Sequence, residues 1–82
     1  DWNILTNDGV LFQRPEWMDS RTYWKQSFIE TWENCAYNTR IILMHDNVAE
    51  TEELLPWLLQ YVIDRGYTFG TLAQLESEYY MK

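Results

Sequence analysis

The distribution of apolar and polar residues divides this chain into alternating strand-like and helix-like segments. Four apolar residues at positions 41–44 run without interruption into His45, Asp46 and Asn47. A continuous apolar run of this length, bounded by polar residues, is typical of a central strand that is buried on both faces. We therefore predict a central strand here, with the polar cluster at its carboxyl end.

Two further strands are predicted, one before and one after this run. Residues 1–6 alternate between apolar and polar positions, and the Asn-Asp-Gly triplet at 7–9 is a strong turn signal that ends the strand. Residues 67–69 form a short third strand. Because the first strand begins at residue 1 without a start methionine, we expect the chain to have been cut from a longer polypeptide.

The first predicted helix covers residues 21–35, after a loop over 10–21 and a cap at Asp19 or Ser20. Its apolar residues recur at spacings of four, four and three, which places them on one helical face. These residues are Trp24, Phe28, Trp32 and Cys35. Such a stripe predicts core packing rather than a binding site.

The second predicted helix opens at the acidic residues 50–53, which favour the positive end of the helix dipole. Pro56 is expected near the helix start, since a proline deeper inside deletes a hydrogen bond. Gly66 fits a left-handed cap at the helix end. A third helix is predicted from Leu72 to Tyr80, capped by Thr71.

The resulting order is β-loop-α-β-α-β-α, and it predicts the α/β fold class. Strands that alternate with helices pair in parallel through right-handed crossovers. The whole chain, residues 1–82, is expected to be one segment, because 82 residues make one domain at most. A chain of this length hides only about 60–65% of the surface exposed by its unfolded form, so its core is thin.

Charge and composition exclude several classes of partner. The formal net charge is −7 and no basic stripe is present, which argues against binding to nucleic acid or to an anionic membrane. Cys35 is the single cysteine, so an intrachain disulfide and a cysteine-based zinc site are excluded. No apolar run approaches the length of about 18 residues that a membrane span needs.

One pair of polar residues is a candidate for chemistry. Asp8 follows the first strand and His45 ends the central strand, so parallel neighbouring strands bring both side chains to the same rim. A carboxylate beside a histidine favours the imidazolium and fixes the ring orientation. The pair therefore predicts a general acid or base, although a structural aspartate–histidine pair is the alternative.

Four motifs in order along the chain resemble the C-terminal part of the polysaccharide deacetylases, the NodB-homology enzymes of carbohydrate esterase family 4. Residues 43–45 resemble the Leu-x-His motif of that family, and residues 51–56 its Thr-x-x-x-Leu-Pro helix start. Residues 65–72 resemble its Arg-Gly-Tyr-x-Phe-x-Thr-Leu ending. Upstream, residues 2–8 resemble its penultimate motif, with Asp8 at the functional aspartate.

The resemblance implies the C-terminal part of a distorted (β/α) barrel and a metal-dependent hydrolase. In that family a divalent metal, usually zinc, activates a water that attacks the acetyl group of an N- or O-acetylated polysaccharide or oligosaccharide. His45 would protonate the leaving group as general acid. Asp8 would tune the protonation of His45, and Leu43 would line the substrate pocket. An extracellular or cell-wall location is implied by such substrates.

This sequence also departs from the family pattern. The aspartate pair and the His-x-x-x-His metal ligands of the family precede the matched region, and His45 is the single histidine of the chain. Gly9 stands where the penultimate motif usually has a tryptophan, and Trp17 is the candidate to supply the missing ring. We therefore expect no metal to be bound by this chain alone, and no activity without the missing N-terminal part.

Two alternatives belong to other functional classes. In the first, a non-catalytic remnant of a deacetylase binds carbohydrate through aromatic side chains such as Trp17, Tyr23 or Trp57. In the second, open sheet edges pair with a second copy of the chain. The high aromatic content, 17% of residues, is compatible with both alternatives.

Overall fold

A computed structural model describes residues 3–45, 47–71 and 78–81 of the chain, and these residues form a mixed α/β fold. Seven elements follow one another along the described residues. They are β1 (Ile4–Leu5), a 3₁₀ helix (Asp8–Gln13), α1 (Ser20–Glu33), β2 (Arg40–Leu43), α2 (Ala49–Asp64), β3 (Phe69–Thr71) and β4 (Glu78–Met81).

The sheet has the strand order β1-β2-β4-β3, which confirms one predicted pairing and corrects another. β1 and β2 are parallel, with Ile4 opposite Ile42 and Leu5 opposite Leu43. β4 lies between β2 and β3 and is antiparallel to both. The three predicted strands run in the same direction, since β2 and β3 are both antiparallel to β4, but the prediction that the third strand pairs directly in parallel with another was wrong.

The end of the chain also differs from the predicted third helix. Residues 72–77 of that helix lie outside the described residues, but residues 78–81 are a strand. The physical reason is that these residues pair with β2 on one side and β3 on the other, and backbone groups that bond to neighbouring strands cannot also form a helix.

α1 is capped and packed as its sequence pattern predicts. The Asp19 carboxylate accepts hydrogen bonds from the backbone N–H groups of Arg21, at 2.8 Å, and Thr22, at 3.2 Å. Trp24, Phe28 and Trp32 are buried along one face. The helix ends at Glu33, so the predicted end at Cys35 was two residues too late.

α2 carries a proline in its interior rather than near its start. The helix begins at Ala49, one residue before its predicted start at Glu50, so Pro56 lies two turns inside it and not near its start as expected. Burial of Leu54, Leu58 and Val62 on one face stabilises the helix in spite of the missing hydrogen bond. Gly66 has a φ of +82°, which confirms the left-handed cap.

Burial in β2 alternates, so this strand is not buried on both faces as predicted. Ile42 and Met44 are fully buried against the helices, whereas Ile41 and Leu43 are partly exposed. Because side chains alternate between the faces of a strand, His45 continues the partly exposed set. The alternation therefore places the His45 side chain on the face of the sheet that is turned away from the core.

The core lies between the sheet and the two helices. Phe28 is the centre of an aromatic cluster in which ring centroids lie 5.1 Å from Tyr61 and 5.6 Å from Trp32. The guanidinium of Arg40 covers the ring of Trp32 at 4.2 Å, which closes one end of the cluster. Among the described helices, none has the length and the apolar character that crossing a bilayer requires.

Candidate active site

The candidate site lies where β1 and β2 end side by side. The parallel register places Leu5 opposite Leu43, so the residues that follow each strand emerge at the same rim of the sheet. Asp8 comes three residues after Leu5, and His45 comes two residues after Leu43. The structure thus brings these two side chains together, as the strand order predicts.

A left-handed residue turns the Asp8 carboxylate inward. Asn7 has a φ of +58°, a conformation that asparagine tolerates better than most residues. Its side-chain amide donates a hydrogen bond to the Ser27 hydroxyl at 3.1 Å, and the Asp8 N–H donates to the buried Thr6 hydroxyl at 3.3 Å. These contacts fix the bend between β1 and the 3₁₀ helix, which the sequence predicts as a turn.

Asp8 holds His45 at two points. The Oδ1 atom of Asp8 lies 2.8 Å from Nδ1 of the imidazole, and Oδ2 accepts a hydrogen bond from the His45 backbone N–H at 2.6 Å. The Asp8 side chain is 2% exposed, whereas the His45 side chain is 45% exposed. The ring is therefore anchored on its buried side and open to solvent on the other.

Nε2 is the nitrogen of the His45 ring that is available for proton transfer. Within the described residues, the hydrogen bond of the His45 ring uses Nδ1, so Nε2 is left to exchange a proton with a bound molecule. A carboxylate at Nδ1 stabilises the imidazolium and fixes its orientation. The arrangement is suited to a general acid or a general base.

Thr51 is a site residue that the sequence reasoning missed. Its hydroxyl donates to Oδ2 of Asp8 at 2.6 Å, and it accepts a hydrogen bond from the Trp24 indole Nε1 at 3.0 Å. In the sequence, Thr51 was assigned only to a helix start and Trp24 only to the core. The sequence signal that could have identified Thr51 is its hydroxyl, which stands in the first turn of the helix that follows the polar cluster.

A shallow pocket of about 420 Å³ opens beside the histidine. Its wall includes the predicted site residue Leu43 together with Leu5 and Val10. Gly9 lies at the edge of the ring, and a Cβ atom at this position would stand 3.3 Å from Cε1 of His45. The absence of a side chain at Gly9 therefore keeps one edge of the imidazole accessible.

Trp17, suggested by the sequence as a replacement for a missing aromatic wall, does not line this pocket. Its side chain is 81% exposed. Asp46, part of the predicted polar cluster, lies outside the described residues. Of the two described members of the polar cluster, His45 lines the pocket and Asn47 does not.

The metal ligands that the family resemblance implies precede the matched region, so Asp8 and His45 are not expected to be among them. No group of three or more His, Cys, Asp or Glu side chains in residues 3–45, 47–71 and 78–81 is placed to hold a metal ion. The Nδ1 atom of His45 is engaged by Asp8, which leaves Nε2 alone.

Comparison with known proteins finds no family model, no curated protein and no solved structure that matches this chain. The contacts of Asp8 and His45 are accordingly the observations that bear on function.

Proposed function

We propose that this chain is the C-terminal part of a polysaccharide deacetylase of the NodB-homology type, with His45 as the general acid. One observation carries the proposal. The half-exposed imidazole is anchored to the buried Asp8 carboxylate at the carboxyl ends of two parallel strands. The motifs around these residues, taken with this geometry, favour deacetylation over other acid–base reactions.

The chemistry of the two residues follows from their contacts. When His45 is protonated, Nδ1–H donates to Asp8 and the carboxylate stabilises the positive ring. Nε2–H would then give its proton to the nitrogen or oxygen of the sugar as the bond to the acetyl carbon breaks. The oxygen of a water, deprotonated by the missing N-terminal part, would already have bonded to that carbon, so the acetyl group leaves as acetate. Such proton transfer contributes about 10²–10⁴-fold to rate in enzymes generally. Leu43 and Leu5 supply an apolar wall beside this proton.

The other half of the reaction is assigned to residues outside this chain. In the proposal, the divalent metal, zinc in the family, is held by an N-terminal part that is present as a separate fragment or on a longer polypeptide. The substrate is an N- or O-acetylated polysaccharide or oligosaccharide, encountered outside the cell or in its wall. The 82 residues alone are expected to be inactive.

An acetyl-release assay on an N-acetylated oligosaccharide tests the proposal. The isolated chain should release no acetate with or without added zinc, whereas the longer polypeptide should be active. In the latter, His45→Ala should lower kcat by about 10²-fold or more and leave bound zinc unchanged. Turnover by the isolated chain, or a parallel loss of zinc in the variant, would contradict the assignment.

A non-catalytic carbohydrate-binding role is the second candidate, because one observation favours it. Trp17 is 81% exposed, and flat aromatic rings in water are suited to stacking on sugar rings. Retention of the isolated chain on chitin or xylan should then be lost in Trp17→Ala. The matched control is Tyr37→Ala, since Tyr37 is another exposed aromatic at 67%. Equal retention of the Trp17 variant and the wild-type chain would exclude this surface.

A further inference from the structure

A continuous chain of hydrogen bonds runs from the core to the histidine. It begins at the Trp24 indole N–H, passes through the Thr51 hydroxyl and the Asp8 carboxylate, and ends at Nδ1 of His45. The three donor–acceptor distances are 3.0, 2.6 and 2.8 Å. Trp24 is fully buried and Thr51 is 5% exposed, so water does not compete for these bonds.

The direction of the first bond follows from the chemistry of the indole. Its nitrogen is a donor only, so Thr51 must accept from Trp24. The hydroxyl hydrogen of Thr51 is then available for Oδ2 of Asp8. The indole therefore sets the direction in which the hydroxyl points.

The direction of the remaining bonds follows from the first. Oδ2 of Asp8 faces two donors, the Thr51 hydroxyl and the His45 backbone N–H. An ionised carboxylate accepts at both oxygens, so both donors are satisfied without a proton on Asp8. Oδ1 is then an acceptor as well, and its partner Nδ1 must carry the hydrogen. Nε2 is left without a proton in the neutral ring.

We propose that Thr51 and Trp24 are positioning residues that hold the Asp8 carboxylate with Oδ1 turned toward Nδ1 of the ring, and thereby keep neutral His45 in the Nδ1–H tautomer. In this tautomer Nε2, on the open side of the ring, is the single nitrogen that takes up and releases the catalytic proton. The catalytic meaning of this control depends on the proposed function. The tautomer itself is a property of this chain and is measured without substrate.

Nitrogen-15 NMR of the imidazole provides the test, and His45 is the single histidine of the chain, so its signals need no assignment against others. With the ring neutral, the wild-type chain should show the nitrogen-15 chemical shifts of a protonated Nδ1 and an unprotonated Nε2. Thr51→Val keeps the shape of the side chain and removes the hydroxyl. Without this anchor on Oδ2 the carboxylate can turn away from the ring, so the ratio of Nδ1–H to Nε2–H should fall by up to about tenfold, the factor equivalent to one hydrogen bond.

Two variants serve as controls. Thr51→Ser restores the hydroxyl and should restore the wild-type ratio. Thr31→Val makes the same chemical change at a partly buried threonine that bonds the backbone of Leu5 rather than Asp8, and should leave the ratio unchanged. If Thr51→Val does not fold, Trp24→Phe removes the indole donor alone and should shift the ratio in the same direction.

The outcomes separate the two proposals. The positioning role is overturned if the wild-type ring is in the Nε2–H form. It is also overturned if a folded Thr51→Val or Trp24→Phe variant has the wild-type ratio. In either case the proposed function is still tested by the acetyl-release assay. A shifted ratio supports the positioning role even where no acetate is released. An equal shift in Thr31→Val would also overturn it, since general loosening of the fold would then explain the change.

Discussion

The most informative single change is Asp8→Asn, because it keeps the shape of a buried side chain and removes its charge. The carboxylate receives three donors, from the His45 backbone, the His45 ring and the Thr51 hydroxyl. An asparagine amide has one acceptor oxygen and one donor nitrogen. If the oxygen takes the position of Oδ2, the amide nitrogen faces Nδ1 and the ring must change to its Nε2–H tautomer.

The size of the expected destabilisation follows from the number of hydrogen bonds whose acceptor changes from a charged to a neutral group. A hydrogen bond to a charged group contributes about 1.5–3 kcal/mol and a neutral one about 0.5–1.5 kcal/mol, so each of the three weakens by about 1 kcal/mol. Burying the neutral amide costs less than burying the carboxylate, whose side chain is 2% exposed, which offsets part of the loss. We expect a net decrease of about 1–3 kcal/mol in the free energy of unfolding.

Urea unfolding followed by tryptophan fluorescence at neutral pH measures this loss, with an unchanged slope indicating an unchanged denatured state. The matched control is Asp64→Asn, an exposed carboxylate that accepts one bond from Gln60 at 2.7 Å. It should change stability by less than about 0.5 kcal/mol. An Asp8→Asn variant as stable as the wild-type chain would show that the carboxylate does not hold the site together.

Three further changes test the packing, the helix end and the acid sensitivity. Leu58→Ala, at a fully buried position, should lower the free energy of unfolding by about 2–5 kcal/mol, whereas Ile63→Ala, at a position 57% exposed, should cost far less in the same urea titration. Gly66→Ala should lower the thermal midpoint, because φ is +82° and an alanine in this left-handed conformation is strained by about 1–2 kcal/mol. No neighbour lies within 4 Å of an added Cβ, so a steric clash would not contribute. An unchanged midpoint would contradict this reasoning. The Ser20 hydroxyl bond holds the pKa of Glu50 below its ordinary value of 4.5, so the stability from this bond is present above that pH and is lost as the pH falls through the lower folded value. Ser20→Ala should therefore flatten the fall in urea midpoint below about pH 4.5, and a wild-type acid profile in this variant would count against the bond.

Several elements were predictable because their signals are local. The Asp19 cap and the spacing of Trp24, Phe28 and Trp32 depend on residues within a few turns, and α1 lies close to its predicted range. The contact between Asp8 and His45 was predictable in outline, since it requires only that two strands pair in parallel. The proposed roles of Asp8, His45 and Leu43 stay predictions.

Other elements depended on partners far along the chain. Residues 78–81, Glu-Tyr-Tyr-Met, fit a helix or a strand in isolation, and their state follows from hydrogen bonds to β2 and β3 on both sides. Pro56 is tolerated inside α2 because the buried face of that helix outweighs one lost bond. Neither effect is visible in a window of neighbouring residues.

The sequence alone determined which segments bury an apolar face, where α1 begins, and that Asp8 and His45 follow strands. It did so because helix caps, turns and hydrophobic periodicity act over a few residues. Only the tertiary structure decided that Thr51 and Trp24 reach Asp8, and that β4 separates β2 from β3. These contacts depend on how helices and strands pack, and a polar group buried by that packing must find its partner wherever the fold brings one.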